Sequence, residues 1–325
     1  MLYKDAGVDI DMLNLIKKSV GKQVSKTFQK NIKSTFGLFG SIYPIHNDYL
    51  VSSVDSVGTK IMIACRMDIH NTIGQDIVNH CINDILTTGA TPLFFMDYIG
   101  FSEVENKVLV QVVKGLATAC KKEKTILIGG ETAKLTRFYP KGLYDLVGFI
   151  VGKVNKKNYI NTTKIIPGDI ILGLKSSGLH TNGYSLARKV LLRKYTLSSY
   201  VPELKCTIGK ELLKVHYSYR KGLEPKLKFI KGLAHITGGG FYENIKRILP
   251  LNCSAVIRKK SWRPLPVFKL IQELGHVPGE EMYRVFNMGV GMVIIINKSN
   301  LKYFKNLRPK IIGEIVKGDF GVKII

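Results

Sequence analysis

The chain has 325 residues, 45% of them hydrophobic, enough for one large or two ordinary packed cores, and its 49 Lys plus Arg against 24 Asp plus Glu give a formal charge of +25. The excess is mostly Lys scattered through many segments, which describes solvated faces and supplies no Arg-rich reader, so no specific nucleic-acid partner is expected. Cys65, Cys81, Cys120, Cys206 and Cys253 form no Cys-x-x-Cys pair and no apolar run reaches the roughly 18 residues of a membrane span, which excludes a disulfide framework and a cysteine zinc site and leads us to expect a soluble, cytoplasmic protein.

In chain order, residues 11–33 read as a basic helix, followed by a glycine-bearing segment of Phe36, Gly37 and Gly40 suited to motion. Residues 49–54 read as a strand, with Asp55-Ser56-Val57-Gly58-Thr59-Lys60 directly after it. An acid at a strand end offers a cation ligand, Gly58 a close backbone approach and Lys60 an ammonium for phosphate; the same letters also spell an Asp-Ser turn with a solvated lysine. The order is not that of a Walker loop.

Between Lys60 and Lys107 there is no Lys, and Arg66 is the sole Arg. A helix over 75–88 places Asp76, His80, Asn83 and Asp84 in one polar quadrant, opposite Ile77, Val78, Cys81, Ile82 and Ile85. Such a face is ordinarily solvated, but acid, amide and imidazole without lysine also suit a metal-binding face. Residues 93–99 then read as a buried strand carrying Asp97, 107–123 as a helix, and 125–128 as a buried strand running into Gly129-Gly130-Glu131-Thr132. Paired glycines let a phosphate or metal approach the backbone, and Asp55, Asp84 and Glu131 are the carboxylate inventory of a magnesium–nucleotide site.

A polar link over 153–164 precedes Pro167-Gly168-Asp169 and a strand at 170–174, so we expect domains at 1–165 and 166–325. Residues 184–194, 242–249 and 266–274 read as helices and 289–296 as a core strand. Between the 170–174 strand and the first of these helices lies Ser176-Ser177-Gly178-Leu179-His180-Thr181-Asn182, small and hydroxyl-rich, where backbone N–H groups can hold an anion and His180 and Asn182 can orient a substrate, or where His180 simply caps a turn. Gly238-Gly239-Gly240 repeats this design before Phe241, at an entropic cost that favours a functional turn.

Taken together and in this order, the segments resemble the phosphoribosylformylglycinamidine cyclo-ligase, or aminoimidazole ribonucleotide synthetase, family. The likeness runs nearly end to end: residues 3–10, the Asp55 to Lys60 motif, Thr72-Ile73-Gly74 with Asn83-Asp84, Pro92-Leu93-Phe94-Phe95, Gly129 to Ala133, Ser176 to Ser185, His235 to Phe241, and Glu281-Met282-Tyr283-Arg284 with Phe286-Asn287 and Gly289 to Met292. The resemblance implies two domains, an N-terminal α+β domain that dimerises through its sheet and a C-terminal α/β domain, working as a homodimer. It implies an ATP-dependent ligase of purine biosynthesis that closes the imidazole ring of formylglycinamidine ribonucleotide. The roles it implies are Asp55, Asp84 and Glu131 as magnesium ligands and Lys26 and Lys60 at phosphates. Gly37, Gly40, Gly58, Thr59, Gly129, Gly130 and Thr132 would lie about the ATP, and His180 and Asn182 at the ribonucleotide, with His180 moving a proton and Lys60 also serving catalysis. The sequence departs from the family's pattern where Lys134-Leu135-Thr136-Arg137 replaces Glu-Met-Pro-Gly and where Val215-His216-Tyr217 replaces Pro-Thr-Arg, removing an arginine; the N-terminal loop also keeps fewer glycines. The alternatives are a thiamine-monophosphate kinase-like member of the same superfamily and a basic, non-catalytic binding protein.

Overall fold

A computed structural model describes residues 1–29 and 37–325. The N-terminal half contains α1 (Ile10–Ser25), β1 (Ser41–Ile45), β2 (Asp48–Ser56), α2 (Ile61–Met67), α3 (Asn71–Leu86), β3 (Thr91–Phe101), α4 (Asn106–Lys122), β4 (Ile126–Lys134) and β5 (Tyr144–Asn155). Its strands run in the order β1-β2-β5-β3-β4, with only β3 and β4 parallel, as a crossover through a helix requires. Period-two alternation buries one face of this sheet: Leu146 and Ile150 of β5 with Phe95 and Ile99 of β3 lie under α3 and α4. The two helices touch where glycines face each other, since a Cβ on Gly74 would stand 2.3 Å from the Val112 carbonyl oxygen and one on Gly115 2.2 Å from that of Asn71.

The C-terminal half adds β6 (Ile170–Lys175), α5 (Tyr184–Leu191), a short ladder of β7 (Tyr200–Val201) and β8 (Cys206–Thr207), α6 (Ile208–Leu212), α7 (Arg220–Leu223), β9 (Gly232–His235), α8 (Gly240–Lys246), β10 (Cys253–Ile257), α9 (Pro266–Gly275), α10 (Gly279–Val285), β11 (Val290–Ile296), β12 (Lys310–Lys317) and β13 (Val322–Ile324). Its sheet runs β13-β10-β12-β6-β11-β9, antiparallel except for β10 with β13. β11 is buried along its whole length, as its unbroken apolar run predicts.

Two expectations about elements change. The helix over 11–33 stops at Ser25, and Lys33 and Phe36 lie outside the described residues. The strand expected to be buried at 125–128 is the open edge of its sheet, with Ile126 64% and Ile128 60% exposed, because β3 pairs with it on one side and no described strand covers the other.

The halves are joined by a clamp. The polar quadrant of α3 grips the backbone of residues 214–219: Asp76 Oδ1 accepts the His216 N–H at 2.8 Å, Asn79 Nδ2 donates to the His216 carbonyl at 2.7 Å, and Asn83 donates to Tyr217 O at 2.7 Å while accepting Tyr219 N–H at 2.9 Å. Each bond to a buried backbone group satisfies a donor or acceptor that folding takes out of water. Two of the four groups on the face expected to meet a metal or solvent, Asp76 and Asn83, are therefore spent on holding the second domain.

Candidate functional site

Lys60 shows the same logic. It is fully buried, with its ammonium 2.7 Å from Asp76 Oδ2 and donating to the Lys214 carbonyl oxygen at 2.7 Å. Burial pulls its pKa below the usual lysine range against the opposing pull of Asp76. The sequence placed this amine at a phosphate; the structure places it inside an ion pair beneath the domain joint, where the short 3-10 turn after β2 carries it inward.

Above that pair, four of the seven histidines converge. His80 Nδ1 meets Thr181 Oγ1 at 2.8 Å, Thr181 Oγ1 meets His216 Nδ1 at 3.4 Å, His216 Nε2 meets His235 Nε2 at 2.9 Å, and His235 Nδ1 meets Asp84 Oδ1 at 2.8 Å. Carboxylates only accept, so His235 donates from Nδ1 and takes the His216 Nε2–H on its other nitrogen; His216 then accepts the Thr181 hydroxyl proton, and Thr181 oxygen accepts from His80. Burial holds His216 and His180 well below the usual imidazole range, reinforced by the neighbouring histidines and Lys60, and it also lowers His235 despite Asp84. His80 goes the other way: burial opposes its charge, but Asp55 and Asp84 outweigh it and raise the pKa to about 9.

The two carboxylates meet at this imidazole. His80 Nε2 lies 2.8 Å from Asp55 Oδ2 and 3.5 Å from Asp84 Oδ2, and Ser53 Oγ donates to Asp84 Oδ2 at 3.1 Å. Asp55 ends β2 and its side chain is 42% exposed, whereas Asp84 is buried on α3. Glu131 does not join them. It is exposed on the edge strand, its carboxylate accepts Thr132 N–H at 2.8 Å, and it pairs with Tyr98, which alternates away from the helix-covered face. The residue that does share the row of Asp55 is Asp97: Asp55 pairs with Gly148, Gly148 with Asp97, and Asp97 with Gly130. A Cβ on Gly130 would sit 2.7 Å from Asp97 Oδ1, so the glycine makes room for that carboxyl. Burial raises Asp97 to about 6.

A cavity of 730 Å³ opens beside this cluster, lined in part by Gly37, Phe39, Ser53, Phe149 and Arg247. Ser53 thus touches both the cavity and Asp84, and the Arg247 guanidinium lies 4.5 Å above the Phe39 ring. Gly37 has φ of +99°, open to a glycine at no cost, whereas Gly40 is buried and packs on Val51. Lys26, at the end of α1, is exposed and donates to Gln23 Oε1 at 2.7 Å. Gly58, with φ of +68°, and Thr59 turn the chain toward the second domain, where Thr59 Oγ1 lies 3.4 Å from Ser185 Oγ. Gly129, Gly130 and Thr132 are exposed on the edge strand. Asn182 is half-buried beside Gly238 of the glycine turn.

His180 is 1% exposed, with φ of +60°, and stacks on His216 at 3.8 Å between centroids. Its Nε2 accepts the Ser177 N–H at 3.2 Å, which puts the ring proton on Nδ1, where no partner is found among the described residues. His216 itself was missed as a site residue. Its signal was the substitution of Val215-His216-Tyr217 for an expected arginine-bearing segment, read as a loss when it is the gain of a buried imidazole. His80 was placed on the polar quadrant and its imidazole counted toward a metal-binding face, but it was not named among the site residues.

Comparison with known proteins gives a consistent result. Residues 40–154 match the family model for the AIR synthase related protein N-terminal domain, and 167–325 that for the C-terminal domain. The phosphoribosylformylglycinamidine cyclo-ligase of Caldanaerobacter subterraneus subsp. tengcongensis is 47% identical, covering 99% of each chain, and that of Thermodesulfovibrio yellowstonii is 43% identical, covering 97% of this chain and 96% of the relative. Among solved structures, AaThiL complexed with AMPPCP and TMP superposes with a TM-score of 0.70 at 15% identity over 94% of each chain, a likeness of fold alone.

Proposed function

The chain belongs to the phosphoribosylformylglycinamidine cyclo-ligase family and is an ATP-dependent ligase of purine biosynthesis, and on that premise we propose how its residues divide the work. The formyl oxygen of formylglycinamidine ribonucleotide is a poor leaving group until phosphorylated. Transfer of the ATP γ-phosphoryl to that oxygen, attack by the amidine nitrogen of the same molecule on the activated carbon and expulsion of phosphate give aminoimidazole ribonucleotide, ADP and phosphate. Such chemistry asks the protein mainly for positioning and for neutralising charge.

The observation that carries the assignment is Ser53, which lines the 730 Å³ cavity and bonds Asp84. ATP occupies that cavity on our reading, with Arg247 and the backbone at Gly37 about it, and its phosphates directed to Asp55 and Asp84. On this reading the cation is taken up together with the phosphates, Asp55 reaching it from the solvent side and Asp84 from α3, both now set against His80 Nε2. Magnesium held there would neutralise the phosphate oxygens. The ribonucleotide lies across the joint, against Thr59 and Ser185 and in reach of the Asn182 amide. His180 serves as a neutral hydrogen-bond donor from Nδ1, because burial keeps its charged form out of reach.

Lys60 supports this site through Asp76 and the clamp. Glu131, Gly129, Gly130 and Thr132 act from the exposed edge, as parts of a homodimer interface. Val54, Phe149 and Met96 form one apolar row on the face of the same sheet turned from α3 and α4, a surface a second copy would bury next to the nucleotide cavity. Five unpaired cysteines suit a reducing, cytoplasmic setting. Arg247→Met tests the nucleotide assignment: KM for ATP should rise about tenfold or more while KM for the ribonucleotide changes little, and an unchanged KM for ATP would move the nucleotide elsewhere.

A further inference from the structure

The turn at 176–182 was expected to hold an anion on its backbone, but its leading donors are spent within the protein: Ser176 N–H bonds the Gly289 carbonyl and Ser177 N–H bonds His180 Nε2. Unspent donors stand just beyond it. Ser185, Arg188, Lys189 and Leu192 recur at helical spacing from the first turn of α5 to its end and line one wall of a cavity of 460 Å³, which Arg66 at the end of α2, Arg193 and Ala6 complete. None of these residues lines the 730 Å³ cavity assigned to ATP.

Three guanidiniums and an ammonium thus share one concave surface that no carboxylate lines. Arg220, Arg258 and Arg284 each pair with an acid, whereas Arg66, Arg188 and Arg193 form no ion pair among the described residues. Lys189 donates to the Asp5 carbonyl oxygen, which pins the N-terminal turn against α5 and leaves the charge unneutralised. Arg188 Nε is buried and finds no hydrogen-bond partner among the described residues, and burial, reinforced by Arg66, pulls that guanidinium below its usual pKa range. Helix C-termini favour cations, and Arg66 and Arg188 stand in the last turns of α2 and α5, which accounts for each charge singly. It leaves two like charges crowded together and a buried donor unmet. A dianion with several acceptor oxygens relieves both, and the planar guanidinium matches phosphate oxygens two at a time.

We propose that this cavity is a phosphomonoester site, with Arg66 and Arg188 gripping the phosphate and the Ser185 hydroxyl donating to it, and that it takes the phosphate of the ribonucleotide. This placement rests on the reading that lays the ribonucleotide against Thr59 and Ser185. Ser185 Oγ lies 3.4 Å from Thr59 Oγ1 at the joint, and the same residue lines the basic cavity, so one side chain links the two.

The test uses the full chain without ATP, so that binding is read apart from turnover. Calorimetry should show formylglycinamidine ribonucleotide held about a hundredfold or more tighter than the corresponding ribonucleoside, and inorganic phosphate should compete with the ribonucleotide and not with ATP. In Arg188→Met that advantage should fall about tenfold or more, while affinity for the ribonucleoside stays within about twofold. An advantage that survives Arg188→Met overturns the proposal, as does an equal loss for ribonucleotide and ribonucleoside, or phosphate that competes with ATP alone. If Arg188→Met does not fold, Arg66→Met, at the exposed end of α2, decides by the same comparison. Inorganic phosphate that binds through these arginines while the ribonucleotide gains nothing from its own phosphate would overturn the substrate assignment and make the cavity a site for free phosphate. Absence of ADP release with the phosphate advantage intact would count against ring closure and leave this site standing.

Discussion

Asp76 accepts the backbone N–H of His216 at 2.8 Å with one oxygen and holds the buried ammonium of Lys60 at 2.7 Å with the other, so one carboxylate ties a helix, a turn and the second domain together. Removing either charge strands the other in a dry site. Lys60→Met and Asp76→Leu should each destabilise the protein by about 3–5 kcal/mol, and the double variant by clearly less than their sum. Urea unfolding of the three variants measures this. Strict additivity would mean that the two groups do not depend on each other.

Asp84→Asn keeps a side-chain oxygen for His235 and a similar volume, so the fold should survive with a loss of about 1–2 kcal/mol. ADP release should fall by about a hundredfold or more, because a neutral amide cannot serve the cation that the phosphates require. Thermal unfolding and an ADP assay on the same preparation separate the two effects. Full turnover would make Asp84 a purely structural partner of His235.

How far these roles could be read beforehand depended on who the partner is. The apolar stripe of α3, from Ile77 to Ile85, announces a buried helix because its period is its own. The duties of Asp76, Asn79 and Asn83 were hidden, since their partners are backbone groups of residues 214–219, and a backbone amide has no sequence signature. Glu131 was misplaced for a different reason. The register between β3 and β4 shifts between Phe95 and Met96, so Ile128 is an extra residue and every later side chain on β4 changes face. Asp55 stood out in the sequence at a strand end and the Gly238 to Gly240 turn ahead of a helix, whereas Asp84 drew notice as an acid on a lysine-free helix face. His80 and His216 needed the three-dimensional contact to show that they belong to one cluster.

Burial raises Asp97 from 3.8 to about 6, so the folded protein holds its proton more tightly than the unfolded chain. That contribution to stability is fully present below about pH 4 and is lost as the pH rises through about 6. Asp97→Asn should therefore melt higher than the unaltered protein at pH 8, by an amount on the order of 1–2 kcal/mol after allowing for partial solvent access, and the advantage should vanish by pH 4. Melting curves across this range test the sign. An advantage that grows as the pH falls would contradict it.

The row of Val54, Phe149 and Met96 faces away from α3 and α4 and is partly exposed among the described residues, Val54 and Phe149 at the rim of the 730 Å³ cavity and Met96 beyond it. Met96→Glu should shift the protein from dimer to monomer in light scattering at micromolar concentration, with little change in secondary structure by circular dichroism. A mass that already corresponds to a monomer in the unaltered protein would remove the homodimer from the account.

The central claim is ring closure by phosphoryl transfer, and substrate-dependent ADP release tests it most directly. Purified protein supplied with ATP, a divalent cation and formylglycinamidine ribonucleotide should release ADP and form aminoimidazole ribonucleotide in equal amounts, with little ADP when the ribonucleotide is omitted. ADP release that answers to thiamine monophosphate instead, or none with the ribonucleotide at any cation concentration, would contradict the account.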